Sequence, residues 1–180
     1  MANLRRELEP GDVFRVPVEG GFRYVHYLQS FMGNETFTAL GNMILVYEGL
    51  YQGGEEDLKE LPASRPLYCT FTSIMPSVRR GDMIFAGSLP LPKGYDTFPL
   101  FRKSSGHDAN RKVVRWYLWN GTKSWPAITP WDKAKARTVS TAGVWSYRAL
   151  VQRLEAGWLP SCDISIIGEE EYIKKFGKVI

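Results

Sequence analysis

Two histidines are the chain's candidates for imidazole chemistry, and neither has the surroundings of a catalytic group. His107 stands in the polar run Ser104-Ser105-Gly106-His107-Asp108, which contains the residue types of a hydrolase triad. Neighbours in sequence do not form a triad, however, and this composition is common in loops. His26 lies in an apolar alternating pattern typical of a packed or hydrogen-bonded strand residue. We therefore predict that the chain has no catalytic residues and is not an enzyme.

Motifs for cofactors and metals are also missing from the sequence. The chain has no Gly-x-Ser-x-Gly elbow, phosphate-binding loop, dinucleotide fingerprint or Cys-x-x-Cys pair. Its two cysteines, Cys69 and Cys162, are far apart, which favours two buried free thiols over a disulfide in an intracellular protein. We predict no cofactor and no metal site.

Aromatic and basic residues alternate in the second half of the chain. Four tryptophans within sixteen residues are interleaved with lysines and arginines; they are Trp116, Trp119, Trp125 and Trp131. This pattern suits stacking on single-stranded nucleic acid, and it equally suits a protein interface. A third interpretation is that the rings fill a β-sheet core, and we expect at least two of them to do so. Trp119 and Trp125 are the partner-contact candidates here.

Acidic residues concentrate in a segment of the first half, residues 48–60, which we call the acidic segment. Its carboxylates are Glu48, Glu55, Glu56, Asp57 and Glu60. Residues 1–90 have 8 Lys/Arg against 11 Asp/Glu, whereas residues 91–180 have 15 against 8, and the whole chain has a net charge of +4. Several glycines predict an adaptable surface loop, with Tyr51 as an aromatic anchor. Such a segment suits a positively charged partner, while the alternative is a solubilising loop.

The elements predicted from the sequence are mostly strands. Val13–Val18 and Phe22–Leu28 predict a hairpin around Glu19-Gly20-Gly21, and Pro17 places the first strand at an edge or a bulge. Asn120-Gly121 predicts a tight type I′ hairpin turn. Further strand patterns are Met43–Tyr47, Leu67–Ile74, Met83–Gly87 and Val113–Trp119, and short helical turns are expected over Glu55–Leu61 and from Glu169.

One clear helix follows these strands. Ser146 is its expected cap and Gly157 its end, with an apolar stripe formed by Leu150, Val151 and Leu154. The pattern predicts an α+β fold, mostly antiparallel β, with a strongly bent sheet or partial barrel and one packed C-terminal helix. Length and a 44% hydrophobic composition predict a single domain over residues 1–180, with 159–180 as a C-terminal extension. The opening residues lack a signal-peptide pattern, so we expect a cytoplasmic protein with no membrane partner.

An ordered series of motifs resembles the immunity protein 26 family. It opens with Gly11-Asp12-Val13-Phe14-Arg15-Val16-Pro17-Val18, a glycine turn and Tyr24-Val25-His26-Tyr27-Leu28. Later matches, which extend the resemblance from about Gly11 to Trp158, are Ile44–Tyr47, Met83–Pro92, Phe98–Arg102, Leu118–Gly121 and Val144–Trp145. The more specific part is the Gly-x-x-Pro-Leu-Pro element followed by Pro-Leu-Phe-Arg.

The resemblance implies a mostly β immunity protein, encoded beside a bacterial polymorphic toxin, that protects the producing cell. It brings no catalytic residues to this chain. The expected partner is the cognate toxin domain, a protein, and nucleic acid is not expected as a partner. The alternative is a nucleic-acid-binding β domain that uses the basic, tryptophan-rich segment.

Overall fold

A computed structural model describes residues 7–33 and 39–179. These residues form nine β-strands and six α-helices, and the strand pairs are antiparallel with a single parallel exception. They divide into two compact units, which are described separately. The first unit contains the described residues up to Thr97 together with Gly143–Glu155; the second contains Phe98–Ala142 and the chain from Ala156 onward. The predicted α+β class is confirmed, and the single-domain assignment stays a prediction.

The first unit contains one open six-stranded sheet. Its strands are β1 (Asp12–Val18), β2 (Gly21–Phe31), β3 (Gly41–Tyr47), β4 (Pro66–Thr72), β5 (Ile84–Ser88) and β9 (Val144–Trp145), in the spatial order β5-β1-β2-β3-β4-β9. β3 is central, and its residues from Met43 to Tyr47 are all buried, as expected of a strand covered on both faces. The described strands form no closed barrel, which is compatible with the predicted bent sheet or partial barrel.

The predicted first hairpin is confirmed, and of the two alternatives expected for its first strand, an edge position or a bulge, the strand has the bulge. β1 pairs with β2 from Val13↔His26 to Val18↔Gly21, and β5 covers its other side. The β5 pairing reaches only from Asp12 to Arg15, so Pro17, which has no N–H to donate, lies beyond it. The register of β1 against β5 shifts between Val13 and Phe14, and this shift is the bulge.

Three helices belong to the first unit: α1 (Glu55–Glu60), α2 (Ile74–Arg80) and α4 (Tyr147–Glu155). α2 was not predicted; Ile74, assigned to the preceding strand, is instead its first residue and is buried there. α4 is the predicted helix. The Ser146 hydroxyl accepts a hydrogen bond from the backbone N–H of Ala149 at 3.2 Å, and Leu150 and Leu154 are buried. α4 packs on β1.

The second unit contains a three-stranded sheet and three helices. Its elements are β6 (Phe101–His107), β7 (Val113–Trp119), β8 (Ser124–Pro126), α3 (Pro130–Thr138), α5 (Ile164–Ile167) and α6 (Glu169–Phe176). The loop predicted around Ser104–His107 is wrong, because these residues pair with β7. The helix expected from Glu169 is α6, with acids in its first turn and lysines in its last. Residues 159–180, predicted as an extension, thus contribute α5 and α6 to this unit.

The β7–β8 hairpin forms where it was predicted, but its turn is not type I′. A type I′ turn needs positive φ at both central residues, and Asn120 does not have it. Instead, the Asn120 side-chain oxygen accepts hydrogen bonds from the backbone N–H groups of Thr122 (3.2 Å) and Lys123 (2.9 Å). The asparagine therefore closes a longer loop with its side chain.

Arg102 is fully buried in the second unit and is surrounded by acceptors. Its Nη1 donates to the carbonyl oxygens of Ala136 (3.2 Å), Val139 (2.7 Å) and Pro160 (3.0 Å), and its Nη2 lies 3.5 Å from Asp163 Oδ1. Burial lowers the pKa of Arg102 to about 10, with Asp163 opposing the shift, so the guanidinium remains charged at neutral pH. One side chain thus connects α3, the turn Pro160–Cys162 and the start of α5.

We predict that Leu154→Ala destabilises the protein by about 2–5 kcal/mol, because Leu154 is 4% exposed and its removal leaves a cavity in the first unit. Urea unfolding followed by far-UV circular dichroism measures this change. Val151→Ala is the control: Val151 lies on the same helix but is only partly buried, so its cost should be smaller. Equal, small effects of both changes would contradict the assigned packing of α4.

Candidate partner-binding site on the acidic segment

His26 is packed and hydrogen-bonded inside the first unit. His26 is fully buried; its Nε2–H donates to the carbonyl oxygen of Leu89 (3.2 Å), and its Nδ1 accepts from the Tyr47 hydroxyl (3.0 Å). Burial lowers the pKa of His26, which favours the neutral ring that this bonding pattern requires. The packed-strand interpretation of His26 is confirmed.

The Ser, His and Asp residues near the end of β6 do not form a hydrogen-bonded triad. His107 is exposed, and the Asp108 carboxylate accepts hydrogen bonds from the backbone N–H groups of Asn110 and Lys112, both at 2.9 Å. Asp108 therefore closes the turn after β6.

Within residues 7–33 and 39–179, no three His, Cys, Asp or Glu side chains are grouped as a metal ion requires. No helix in the same residues is long and apolar enough to cross a membrane. Cys69 is buried, whereas Cys162 is partly exposed, and both are free thiols.

Two side chains on one face of the β1–β2 hairpin form hydrogen bonds with the acidic segment. The register pairs Arg15 with Tyr24, so their side chains share this face. Arg15 Nη1 donates to the carbonyl oxygen of Gly53, and the Tyr24 hydroxyl donates to Asp57 Oδ2 at 3.0 Å. The Gly53 N–H donates to the same carboxylate oxygen at 2.7 Å. Burial, reinforced by the bond to Asp57, raises the pKa of Tyr24 to about 12.

A second set of contacts comes from the next residues of β2. Arg23 points to the opposite face, and its Nη1 donates to the carbonyl oxygen of Gly49. Phe22 and Tyr51 exchange two backbone hydrogen bonds, 2.8 and 2.9 Å long, which extend the sheet by one bridge. The segment is thus bonded to both faces and to the backbone of the hairpin.

Tyr51 does not lie at the surface, which corrects its predicted role as an exposed anchor. It is 8% exposed, its ring lies edge-on to Tyr24 with centroids 5.0 Å apart, and its hydroxyl donates to the carbonyl oxygen of Glu48. A β-carbon at Gly49 would lie 2.8 Å from this ring, so the close approach of the chain requires glycine. Tyr51 is a residue that fixes the segment from within.

The exposed carboxylates of the segment lie mainly on α1. Glu55, Glu56 and Glu60 are exposed, whereas Asp57 is turned toward Tyr24. No residue of α1 is fully buried; Leu58 is partly buried and packs over β5. Two ion pairs, Glu56–Lys59 (2.6 Å) and Glu48–Arg65 (2.9 Å), have both side chains more than half exposed, so each contributes little to stability.

The segment therefore consists of a hydrogen-bonded turn and the short helix α1 rather than an irregular loop, and its ability to adapt stays a prediction. Glu48, Glu55, Glu56 and Glu60 remain as surface candidates, and Tyr51 and Asp57 support the backbone that carries them. One exposed apolar residue of the segment was not predicted: Leu50 is 49% exposed. An apolar side chain within a polar, glycine-rich segment was the available signal for it.

Only one of the four tryptophans, Trp131, is exposed, and it is not one of the two predicted partner contacts, Trp119 and Trp125. Trp119 is fully buried, and Trp125 is partly buried with its Nε1–H donating to Asp132 Oδ1 at 3.3 Å. Trp116 is also partly buried and, like Trp125, packs against a core cluster of Leu118, Ala127 and Ala136. Trp131, at 62% exposed, lies near the start of α3. Trp119 is thus a core residue rather than a surface contact.

Comparisons of the chain with protein-family models, with curated proteins and with solved structures find no match.

We predict that His26→Gln destabilises the protein less as the pH falls. The unfolded chain binds a proton on His26 below about pH 6.5, while burial opposes protonation in the folded state, so the wild type loses stability there. Glutamine does not titrate and avoids this loss. The difference in unfolding free energy between wild type and variant should therefore shrink from about pH 7.5 to about pH 5.5 in urea titrations.

Leu154→Ala is the control for this measurement. This variant keeps His26, so the difference in unfolding free energy between it and the wild type should not change with pH. A His26→Gln difference that is constant over the same range would show that His26 titrates alike in both states.

Proposed function

We propose that this chain is a cytoplasmic immunity protein that binds and neutralises a cognate bacterial toxin domain through the exposed carboxylates of its acidic segment. The observation that carries the proposal is the fixed backbone under those carboxylates. Arg15, Arg23 and Tyr24 hold the segment from both faces of one hairpin, and Glu55 and Glu56 lie outward on it. The resemblance to immunity protein 26 supplies the class of partner.

The fixed backbone favours a binding function over a solubilising one. A solubilising loop needs only exposed charge, and the order of its backbone adds nothing to that role. A binding surface gains from order, because a segment fixed before the encounter loses little conformational entropy in the complex. Two arginines bonded to backbone carbonyls, with a tyrosine bonded to Asp57, give the segment that order.

The position of the acids on α1 explains how like charges are tolerated there. Glu55, Glu56 and Asp57 form the first turn, where the backbone N–H groups give the helix its positive end. The carboxylates are therefore stabilised within the protein while remaining open to a partner's lysines and arginines. Toxin domains that act on nucleic acid or anionic lipid have positive clefts, for which this surface is an electrostatic complement.

We predict that the double change Glu55→Lys and Glu56→Lys slows association with the toxin domain encoded by the adjacent reading frame. Reversing two charges removes electrostatic steering, so the association rate constant should fall on the order of tenfold at low salt. The wild-type rate should also fall as salt is added. Stopped-flow fluorescence with the purified toxin domain measures both. Asp57 is left unchanged because it supports the backbone.

Glu170→Lys with Glu171→Lys is the matched control. These two glutamates are also exposed residues in the first turn of a helix, α6, so the change in net charge and the cost to the helix are alike. The control should associate at the wild-type rate. Equal slowing by both pairs would assign the effect to net charge, and no slowing by either would remove the acidic segment from the interface.

The nucleic-acid alternative is tested separately. Trp119 is buried, Trp125 is partly buried and hydrogen-bonded, and Trp131 alone of the four rings is exposed. A single exposed ring gives little stacking, so we predict no binding of single-stranded oligonucleotides tighter than about 1 µM at ~150 mM salt. Fluorescence anisotropy with labelled RNA and DNA measures this. Tighter binding that is lost in Trp125→Ala or Trp131→Ala, with folding retained, would instead favour a nucleic-acid-binding protein.

A further inference from the structure

Leu50 is the exposed apolar residue of the acidic segment, and its backbone is fixed on both sides. Arg23 donates to the carbonyl oxygen of Gly49, and Tyr51 exchanges two backbone hydrogen bonds with Phe22. The leucine therefore lies between two residues whose backbone is hydrogen-bonded to the hairpin, and its side chain is 49% exposed.

The leucine side chain lies over the turn of the β1–β2 hairpin. A β-carbon at Gly20 would be 3.6 Å from Leu50 Cδ2, and one at Gly21 would be 3.4 Å from Leu50 Cδ1. One side of the side chain thus contacts a glycine surface, and the other side faces solvent. Tyr51, the next residue, is turned inward, so this short stretch buries one large side chain and leaves the adjacent one outside.

Charged and polar residues flank Leu50 and the hairpin turn that it covers in the sequence. Glu19, Glu48 and Gln52 are exposed, and α1 begins a few residues later with exposed Glu55 and Glu56. An apolar side chain inside a polar rim is the arrangement that concentrates binding energy in protein interfaces, because the rim excludes water from the central contact. Glu48 and Glu56 are paired with Arg65 and Lys59, and Glu19 and Glu55 add further negative charge, so acids exceed bases among these residues. The complementary surface is an apolar depression ringed by lysines and arginines.

We propose that Leu50 is the apolar anchor of the interface and inserts into a cationic-rimmed depression on the toxin domain. This inference rests on the proposed function. The carboxylates and the leucine then have different roles: the charges set how fast the partners meet, and the leucine sets how long they stay together.

The test is the dissociation rate of Leu50→Ala from the purified toxin domain, measured by biolayer interferometry. Loss of the anchor should raise the dissociation rate constant at least about fivefold, while the association rate constant and its salt dependence change less than about twofold. Leu50→Met, which keeps the volume, should return the dissociation rate close to that of the wild type. Ile128→Ala is the matched control, since Ile128 is 68% exposed and loses the same number of carbons.

The outcomes separate the two proposals. If Leu50→Ala dissociates within about twofold of the wild type while Glu55→Lys with Glu56→Lys associates slowly, Leu50 is not the anchor and the proposed function stands. If the wild type neither binds the toxin domain nor protects cells from it, both proposals fall. A concentration-dependent wild-type dimer in sedimentation velocity that Leu50→Ala abolishes would assign the leucine to self-association and overturn the inference. A thermal unfolding scan shows that each variant is folded.

Discussion

The candidate site depends on one arrangement of donors: the side chains of the β1–β2 hairpin that bond to the chain following β3. Backbone carbonyls of an exposed segment ordinarily bond to water, and a guanidinium group that replaces water fixes the position of the carbonyl. Arg15 and Arg23 do this at Gly53 and Gly49 from opposite faces of the hairpin. The positive charges thus point inward to the backbone, and the negative charges of the same segment are left on the outside.

The second unit uses the same chemistry inside its core. Arg102 Nη1 lies within hydrogen-bonding distance of three carbonyl oxygens, which share its two hydrogens. Its ionic partner, Asp163, also accepts from the backbone N–H of Ser165 and so caps α5. A buried charge is costly unless it is paired and hydrogen-bonded, and the carbonyl oxygens and the Asp163 carboxylate around Arg102 reduce that cost.

Sequence patterns predicted the first unit better than the second, for physical reasons. The first hairpin and α4 were predictable because alternation, turn glycines and an N-cap serine act locally. β6 was missed because Ser104, Ser105 and Gly106 have weak strand propensity, and pairing with β7 overrides it. α3 was missed although Thr129 and Asp132 form a capping box, since its helix buries only Ala136 and so has no apolar stripe.

The site itself was half predictable, because charge is visible in a sequence and burial is not. The run of acids located the segment, but the sequence around Tyr51 does not indicate whether its side chain faces a partner or the core. Tyr51 faces the core because Phe22 pairs with it and Tyr24 packs against its ring, and both contacts depend on a register set 27 to 29 residues earlier in the chain. Once Tyr51 turns inward, the alternation of an extended chain directs Leu50 outward. The exposed leucine is thus a consequence of the same hairpin that orders the carboxylates, which is why charge and apolar contact lie together on one fixed segment.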